Sequence, residues 1–328
     1  MWDSVTGLSE LARAVVPTTT NAGWASDITP DGSVIAGRIR ITSSAGPRNA
    51  ALWTSNGTVL MDIGSLGGSQ TAAIAVSDDG AVAYGFGFTS AGPQRAFRWT
   101  SGTGIVDLGV LNVADTQSTI AARGVSADGT IAVGSSGDNS SGFTPGSTAF
   151  RYVDGIGMQS LGYLADGSWS SAGAISADGT MIFGVADSIA HPNGELFRWT
   201  QAGGLVALGA PAAYPGGVLL MGASGDGTVA TFSSHIYNTS GFYSLDSVLT
   251  GAGLDISGWS QLITLGVSDN GNVLWGMGTN PSGFNEGWVA TFDSGYLAAI
   301  PEPSGIASLI GVLALAVASG RRRFRVRN

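Results

Sequence analysis

Ala122-Arg123-Gly124-Val125-Ser126-Ala127-Asp128-Gly129-Thr130-Ile131-Ala132-Val133-Gly134 opens a unit that continues through a polar loop into Ala149-Phe150-Arg151-Tyr152-Val153-Asp154-Gly155-Ile156-Gly157-Met158-Gln159-Ser160-Leu161-Gly162. The chain repeats this unit. Val125-Ser126-Ala127-Asp128-Gly129 returns as Ile28-Thr29-Pro30-Asp31-Gly32, Val76-Ser77-Asp78-Asp79-Gly80, Ile175-Ser176-Ala177-Asp178-Gly179, Ala223-Ser224-Gly225-Asp226-Gly227 and Val267-Ser268-Asp269-Asn270-Gly271. Successive Asp (or Asn) positions are 48, 49, 50, 48 and 44 residues apart. A fixed long period decides the architecture before any local signal does.

Each copy divides into four short apolar runs bounded by Gly, Ser, Asp or Asn. In the second copy they are Ala72–Val76, Ala81–Phe86, Arg95–Thr100 and Gly104–Leu108. This pattern predicts strands joined by tight turns. Asp-Gly between the first two runs predicts a hairpin with a type I′ turn, since both residues tolerate positive φ. A second glycine follows five residues after the turn glycine, at Gly37, Gly85, Gly134, Gly184 and Gly276, with Phe232 breaking the series. Glycine weakens a strand, so its recurrence predicts a close backbone approach.

The back half carries an aromatic signature: Leu52-Trp53-Thr54, Phe97-Arg98-Trp99-Thr100, Phe150-Arg151-Tyr152 and Phe197-Arg198-Trp199-Thr200. Four strands per period match one propeller blade. The expected fold is therefore all-β, a β-propeller of about six four-stranded blades. Seven blades, or a linear β-solenoid of the same units, are the alternatives. Trp2 to Leu11 aligns with Trp99 to Leu108, so the chain begins inside a repeat, and the last repeat lacks a clear fourth strand. The half-repeat 1–11 is expected to complete that last blade, which would leave no open edge.

Polar insertions at Asp138–Ser147 and Ala186–Gly194 fall at one point of the repeat, between the second and third strands. Insertions that gather on one face often mark a binding face. The fifth repeat is degenerate and is followed by a longer segment, Leu245–Gly258. With 52 glycines, 11% charged residues and no cysteine, the composition suits a turn-rich β protein and excludes disulfides and Cys-based metal sites.

After Ile300 the sequence changes character. Pro301-Glu302-Pro303 precedes an uncharged apolar run, 305–320, and then Arg321, Arg322, Arg323, Arg325 and Arg327. As a helix the run would reach roughly 24 Å against a hydrocarbon core of ~30 Å, with the arginines snorkelling at its end. The basic end should stay cytoplasmic, placing the repeats on the far side. The organisation reads as a repeat domain 1–296, a linker 297–304, a transmembrane helix 305–320 and an Arg-rich tail 321–328.

This tail resembles the PEP-CTERM sorting signal, in which Pro-Glu-Pro, a transmembrane helix and an Arg-rich end follow in order. The resemblance implies recognition by an exosortase in the inner membrane, removal of the tail near Pro301, Glu302 and Pro303, and delivery to the cell surface or an exopolysaccharide matrix. Gly305, Ile306, Leu309, Ile310, Val312, Leu313, Leu315 and Val317 would form the transient anchor, and the arginines would hold topology. The repeats resemble the extracellular HAF family; its His-Ala-Phe triplet stands here as Arg95-Ala96-Phe97 and Thr148-Ala149-Phe150. Residues 1–17 have neither the basic start nor the apolar run of a signal peptide. The expectation is that coding sequence lies upstream of Met1.

Before Pro301 the chain carries 9 arginines against 22 acids, a formal −13, and no lysine. Such a domain disfavours nucleic acid, whose phosphates need a basic patch. Calcium needs six to eight converging oxygens, and Asp78-Asp79 is the only adjacent acidic pair, so turn geometry accounts better for one carboxylate per turn. No cofactor is expected. His191 and His235 stand in different repeats and read as loop histidines. No G-x-S-x-G elbow occurs. Gly64-Ser65-Leu66-Gly67-Gly68 lacks the helix and Lys of a phosphate loop. Trp53, Trp99, Tyr152 and Trp199 could stack on sugars, but their strict position fits packing between blades. The function expected is a non-enzymatic structural or binding module of the bacterial envelope. The alternatives are a propeller hydrolase or lyase acting on polysaccharide through paired carboxylates, and a calcium-stabilised adhesin.

Overall fold

The computed structural model describes residues 2–3, 7–8, 11–12, 23–40, 46–54, 57, 59–138, 145–211 and 220–300, with backbone alone at 2–3, 7–8 and 122–123. The first two strands, β1 (Trp2–Asp3) and β2 (Gly7–Leu8), pair as a hairpin. Their register, Trp2 opposite Leu8, copies the Trp99–Ile105 pairing of a repeat's outer hairpin.

Six antiparallel units, called sheets below, then follow in chain order, the first two joined by one parallel pairing of Arg48 with Gln70. The first holds β3 (Gly23–Ile28), β4 (Ile35–Arg40), β5 (Arg48–Thr54) and β6 (Val59–Gly64). The second holds β7 (Gly67–Val76), β8 (Val82–Thr89), β9 (Gln94–Thr100) and β10 (Gly104–Asp107). The third holds β11 (Gln117–Val125), β12 (Ile131–Gly137), β13 (Thr148–Val153) and β14 (Gly157–Gly162). The fourth holds β15 (Ser170–Ile175), β16 (Met181–Ala186), β17 (Glu195–Thr200) and β18 (Gly204–Gly209). The fifth is shorter: β19 (Leu220–Ala223), β20 (Ala230–Phe232), β21 (His235–Asn238) and β22 (Gly241–Ser244). One helix, α1 (Leu245–Gly251), leads to the sixth sheet of β23 (Ser260–Val267), β24 (Val273–Thr279) and β25 (Asn285–Thr291). Among the described residues no pairing joins β1 or β2 to β25.

The helix was not foreseen. Ser244 caps it by accepting from the Ser247 N–H, and Leu245, Val248 and Leu249 bury one face at helical spacing.

The recurrent second glycine has a specific cause. In every sheet the innermost strand shifts register, at Ala25/Asp27, Ala73/Ala75, Ile120/Val125, Ala172/Ala174, Leu220/Gly222 and Thr264/Gly266, and β7 and β23 each carry a second shift nearer their start. Gly37, Gly85, Gly134, Gly184 and Gly276 stand opposite the named shifts. A Cβ on Gly85 would come within 1.9 Å of the Ala72 carbonyl oxygen and 2.9 Å of the Phe97 ring. The glycine thus admits both a bulge and the aromatic ring of the third strand. Phe97, Phe150 and Phe197 lie directly opposite Gly85, Gly134 and Gly184 and are fully buried. In the fifth sheet β20 ends at Phe232, which packs on Phe242 of the same sheet instead.

Consecutive sheets share apolar cores. Leu52 of the first packs with Phe97 and Trp99 of the second, Tyr84 with Phe150 of the third, and Ala149 with Phe197 and Trp199 of the fourth. Serines of inner strands stitch neighbouring sheets together: Ser118 accepts from the Ala96 N–H and Ser170 from the Ala149 N–H, both at 2.9 Å. Fully burying side chains of this size stabilises by about 1.5–3 kcal/mol each, and the repetition distributes that gain along the chain.

Candidate functional site

The repeated Ser-x-Asp-Gly turn consumes most of its own polar groups. At Ser77-Asp78-Asp79-Gly80 the Gly80 N–H donates to the Ser77 carbonyl at 2.8 Å, closing a turn. The Ser77 hydroxyl donates to Asp79 Oδ1 at 2.6 Å and accepts from the Val82 N–H at 3.0 Å, while Asp79 Oδ1 accepts from the Ala81 N–H at 2.9 Å. The same set recurs around Asp31, Asp128, Asp178 and Asp226, and around Asn270. Only the glycine takes positive φ (Gly80, 70°). The expected type I′ turn is therefore corrected: the loop is a longer one built on a type I turn, because the serine side chain captures the second strand's first N–H.

These bonds hold the turn carboxylates ionised. The Ser33 backbone N–H and then the Thr29 hydroxyl lower Asp31 to about 2. At Asp79, Asp128 and Asp178 the serine hydroxyl lowers the carboxyl most, followed by the backbone N–H. At Asp226 burial is the largest influence and raises the carboxyl, and the Ser224 hydroxyl with the Thr228 N–H and hydroxyl together outweigh it.

The residue between Ser and Asp lies inward. The Asp78 N–H donates to the Ala127 carbonyl (2.9 Å), Ala127 to Ala177 (2.8 Å), Ala177 to Gly225 (2.7 Å) and Gly225 to Asp269 (2.8 Å). This row ties five successive turns together by main chain. The sixth such residue is Pro30, which has no N–H to extend it. Ala127, Ala177 and Gly225 leave room, and two carboxylates remain: burial, then the Asp269 charge, then Asp79 raise the Asp78 carboxyl. Asp269 belongs to the last repeat and Asp78 to the second, so the electrostatic contact spans the first and bends the row toward a ring.

The opposite end carries the strand-two-to-three loops. In the fourth sheet's loop, Glu195 is only 5% exposed and accepts from the Ser188 hydroxyl. His191 Nδ1 is buried 3.4 Å from the same Glu195 oxygen without a hydrogen bond. Serine bonds the acid and not the imidazole, so this is a loop clasp and not a nucleophile–base pair. His235 lies far off in sequence; burial lowers its pKa, against the Asp246 charge. The two histidines are not brought together, and among the described residues no group of three metal-ligating side chains forms. The strand-three aromatics pack between sheets: Trp99 and Trp199 are buried, Arg151 lies over Trp199 at 4.8 Å, and the Trp53 Nε1 donates to the Ala12 carbonyl at 2.7 Å. A small apolar cleft beside α1, lined by Leu249, Ile256, Trp259, Leu262 and Trp288, carries one carboxylate, Asp255. That group is turned to the Ser257 N–H at 2.9 Å. Pro301, Glu302, Pro303, the apolar run 305–320 and the terminal arginines lie outside the described residues. Among those described, no helix is long and apolar enough to cross a membrane.

Comparison with known proteins bears on the fold. No family model matches the sequence. No curated protein matches it. Among solved structures, it is similar to the β-propeller domain of the Trilobed protease from Pyrococcus furiosus, described with an open velcro topology (TM-score 0.51, 10% identity, covering 83% of this chain and 81% of that one). The chain folds as a β-propeller. An oligogalacturonate lyase in complex with manganese is similar at TM-score 0.50 and 12% identity, covering 81% of this chain and 73% of the other. TolB from Acinetobacter baumannii is 17% identical at TM-score 0.41 over 67% of this chain, which spans about half (53%) of that protein's length.

Proposed function

We propose that this propeller is an exported, non-enzymatic scaffold and binding module of a bacterial envelope, with six blades and a C-terminal sorting segment. The observation that carries the reading is the order Pro301-Glu302-Pro303, apolar run, arginine cluster, after an acidic repeat domain. An exosortase-type enzyme would process the segment at the inner membrane, releasing the propeller to the surface or an exopolysaccharide matrix. The turn hydrogen bonds support a scaffolding role, since they commit the repeated Ser and Asp side chains to structure at one end and leave loops of varied sequence at the other.

The test is mass and location in the native host, with and without residues 301–328. A secreted form shortened near Pro303, and a retained one when the tail is deleted beforehand, is the expected result. Full-length protein in the cytoplasm would sink the reading. A second reading, a polysaccharide hydrolase or lyase, draws on the charge that Asp269 exerts on the Asp78 carboxyl. It requires turnover of an acidic or neutral polysaccharide that Asp78→Asn and Asp269→Asn each abolish while the melting temperature holds.

A further inference from the structure

The connection 245–259, from β22 to β23, is the longest that joins consecutive sheets and the one that holds a helix among the described residues. It crosses the end of the propeller that bears the strand-two-to-three loops, because strand direction alternates within each sheet. An insertion peculiar to one repeat often carries binding. After α1 the Leu254 N–H donates to the Leu249 carbonyl at 3.0 Å. Asp255 then accepts from the Ser257 N–H at 2.9 Å, Gly258 turns at a φ of 78°, and the Trp259 N–H donates to the Ile256 carbonyl at 3.0 Å. This tight turn delivers Asp255 and Trp259 to one cleft, between α1 and the sixth sheet. β24 seats the indole: a Cβ on Gly278 would stand 3.3 Å from the Trp259 ring and 2.6 Å from Leu262 Cδ2. Leu249, Leu262, Trp288 and Ala290, all buried, form the floor. The Trp288 Nε1 donates to the Met277 carbonyl at 3.0 Å, so that residue offers the cleft ring surface and no donor.

The lining decides which chemistry fits. Asp255 carries its one charge, and the Ser257 hydroxyl and then the Ser257 N–H hold that carboxyl below its ordinary range. A carboxylate has about four acceptor positions, so these two bonds leave room for an incoming donor. The cleft is about 280 Å³, smaller than pockets that enclose a drug-sized ligand. A sugar seated here would turn most of its hydroxyls toward apolar walls, where they lose their hydrogen bonds. An anion would meet Asp255 in a domain with 22 acids against 9 arginines. A cation with a short apolar body meets neither obstacle. Its charge faces Asp255 and the indole, and its carbon groups cover Leu249, Leu262 and Ala290. The chain has no lysine, so no ammonium side chain of its own competes for the place.

We propose that the cleft between α1 and the sixth sheet, walled by Trp259 and rimmed by Asp255, binds an organic ammonium group, either the head of a small quaternary amine or the lysine side chain of a partner protein. Both sources offer the same chemistry, a positive nitrogen on a short apolar stem. The site uses no part of the tail and stands whether or not the chain is exported.

Calorimetric titration of the full chain at low salt tests it. One arm uses choline, a second Nα-acetyl-lysine amide, and a third neohexanol, the uncharged carbon analogue of choline. At least one of the two cations should bind, and more tightly than the alcohol. Trp259→Ala should weaken that binding about fivefold, the worth of one cation–π contact. Asp255→Asn, which keeps an oxygen for the Ser257 N–H, should weaken it about two- to fivefold, as an exposed ion pair does. Trp259→Phe keeps a ring, should retain most of the affinity, and guards against misfolding of the alanine variant. Phe284→Ala, at an exposed residue outside the cleft, should leave binding unchanged. Binding of choline alone assigns the cleft to a small quaternary amine, of the lysine derivative alone to a partner's side chain, and of both to the shared ammonium head. Absence of binding in both cation arms, neohexanol binding as tightly as choline, or unchanged affinity in folded Trp259→Ala and Asp255→Asn proteins overturns the proposal.

Discussion

The faces between successive blades and the free face of the last blade are built to different standards. Between the second and third blades Tyr84, Phe150 and Ala132 are fully buried, and the pattern recurs from blade to blade. On the free face of the sixth, Leu265, Met277 and Val289 remain 38%, 43% and 37% exposed. The first blade's outer face has a third solution: Ile35, Ile39, Ala51 and Trp53 are buried with Leu11 and Ala12 laid against them. The Ala12 N–H donates to the Gly57 carbonyl at 2.7 Å, so the segment after β2 is fastened to the first blade. Among the described residues no core cluster joins the last blade to the first. A repeat specifies its contact with the next repeat through paired glycine and aromatic positions. Among the described residues, the outer faces of the first and last blades are covered in different ways.

The sharpest way to break this contrast is matched truncation. Phe97→Ala empties a fully buried site and should cost about 3–5 kcal/mol in guanidinium unfolding. Met277→Ala should cost less than about 0.5 kcal/mol, as at an exposed surface site. Equal losses would mean that the seam is packed as tightly as the interior. Next comes Gly184→Ala, whose new Cβ would meet the Ser171 carbonyl oxygen at 2.3 Å and the Phe197 ring at 2.3 Å. Overpacking of this kind costs about 1–3 kcal/mol. Smaller again is Trp53→Phe, which removes the indole N–H bond to Ala12, worth about 1 kcal/mol. Its diagnostic is faster hydrogen exchange at the Ala12 amide with the other blades unaffected; uniform loosening would refute a local latch.

What the sequence conveyed follows the same division. The period, the four strands per unit, the bulge-facing glycines and the buried aromatics are written into every copy, because neighbouring copies solve one packing problem. Asp-Gly alone points to the wrong turn type, because it does not reveal that Ser77 Oγ takes the Val82 N–H. Helix α1 was missed although Ser244, Asp246 and the Leu245, Val248, Leu249 spacing signal it; a single short helix in a strand-dominated chain has little periodicity to detect. The His191–Glu195 clasp depends on the path of a loop. The grouping of Arg38, Arg40 and Arg48 around the Trp24 ring depends on register across β4 and β5: Arg38 and Arg40 are visibly alternate, but only the pairing sets Arg48 opposite Arg40.

Acid should distinguish the last blade most finely. Asp31, Asp79, Asp128, Asp178 and Asp226 have carboxyls below the ordinary 3.8 in the fold. A depressed folded pKa contributes stability that is complete above the unfolded value and lost as pH falls through the folded one. The melting temperature should therefore hold down to about pH 4–5 and decline toward about pH 2. In the sixth repeat Asn270 Oδ1 accepts from the Ser268 hydroxyl at 2.7 Å and the Asn272 N–H at 3.1 Å, with no charge to lose. The Asn272 and Val273 amides should keep their exchange protection at a pH where Ala81 and Val82 begin to lose theirs. Asn270→Asp should leave neutral stability almost unchanged and steepen the acid decline by one further group. If Asn270→Asp leaves the acid profile of the sixth turn unaltered, the hydroxyl and N–H bonds, and not the carboxylate charge, hold these turns, and the acid sensitivity of the other five must come from elsewhere in the propeller.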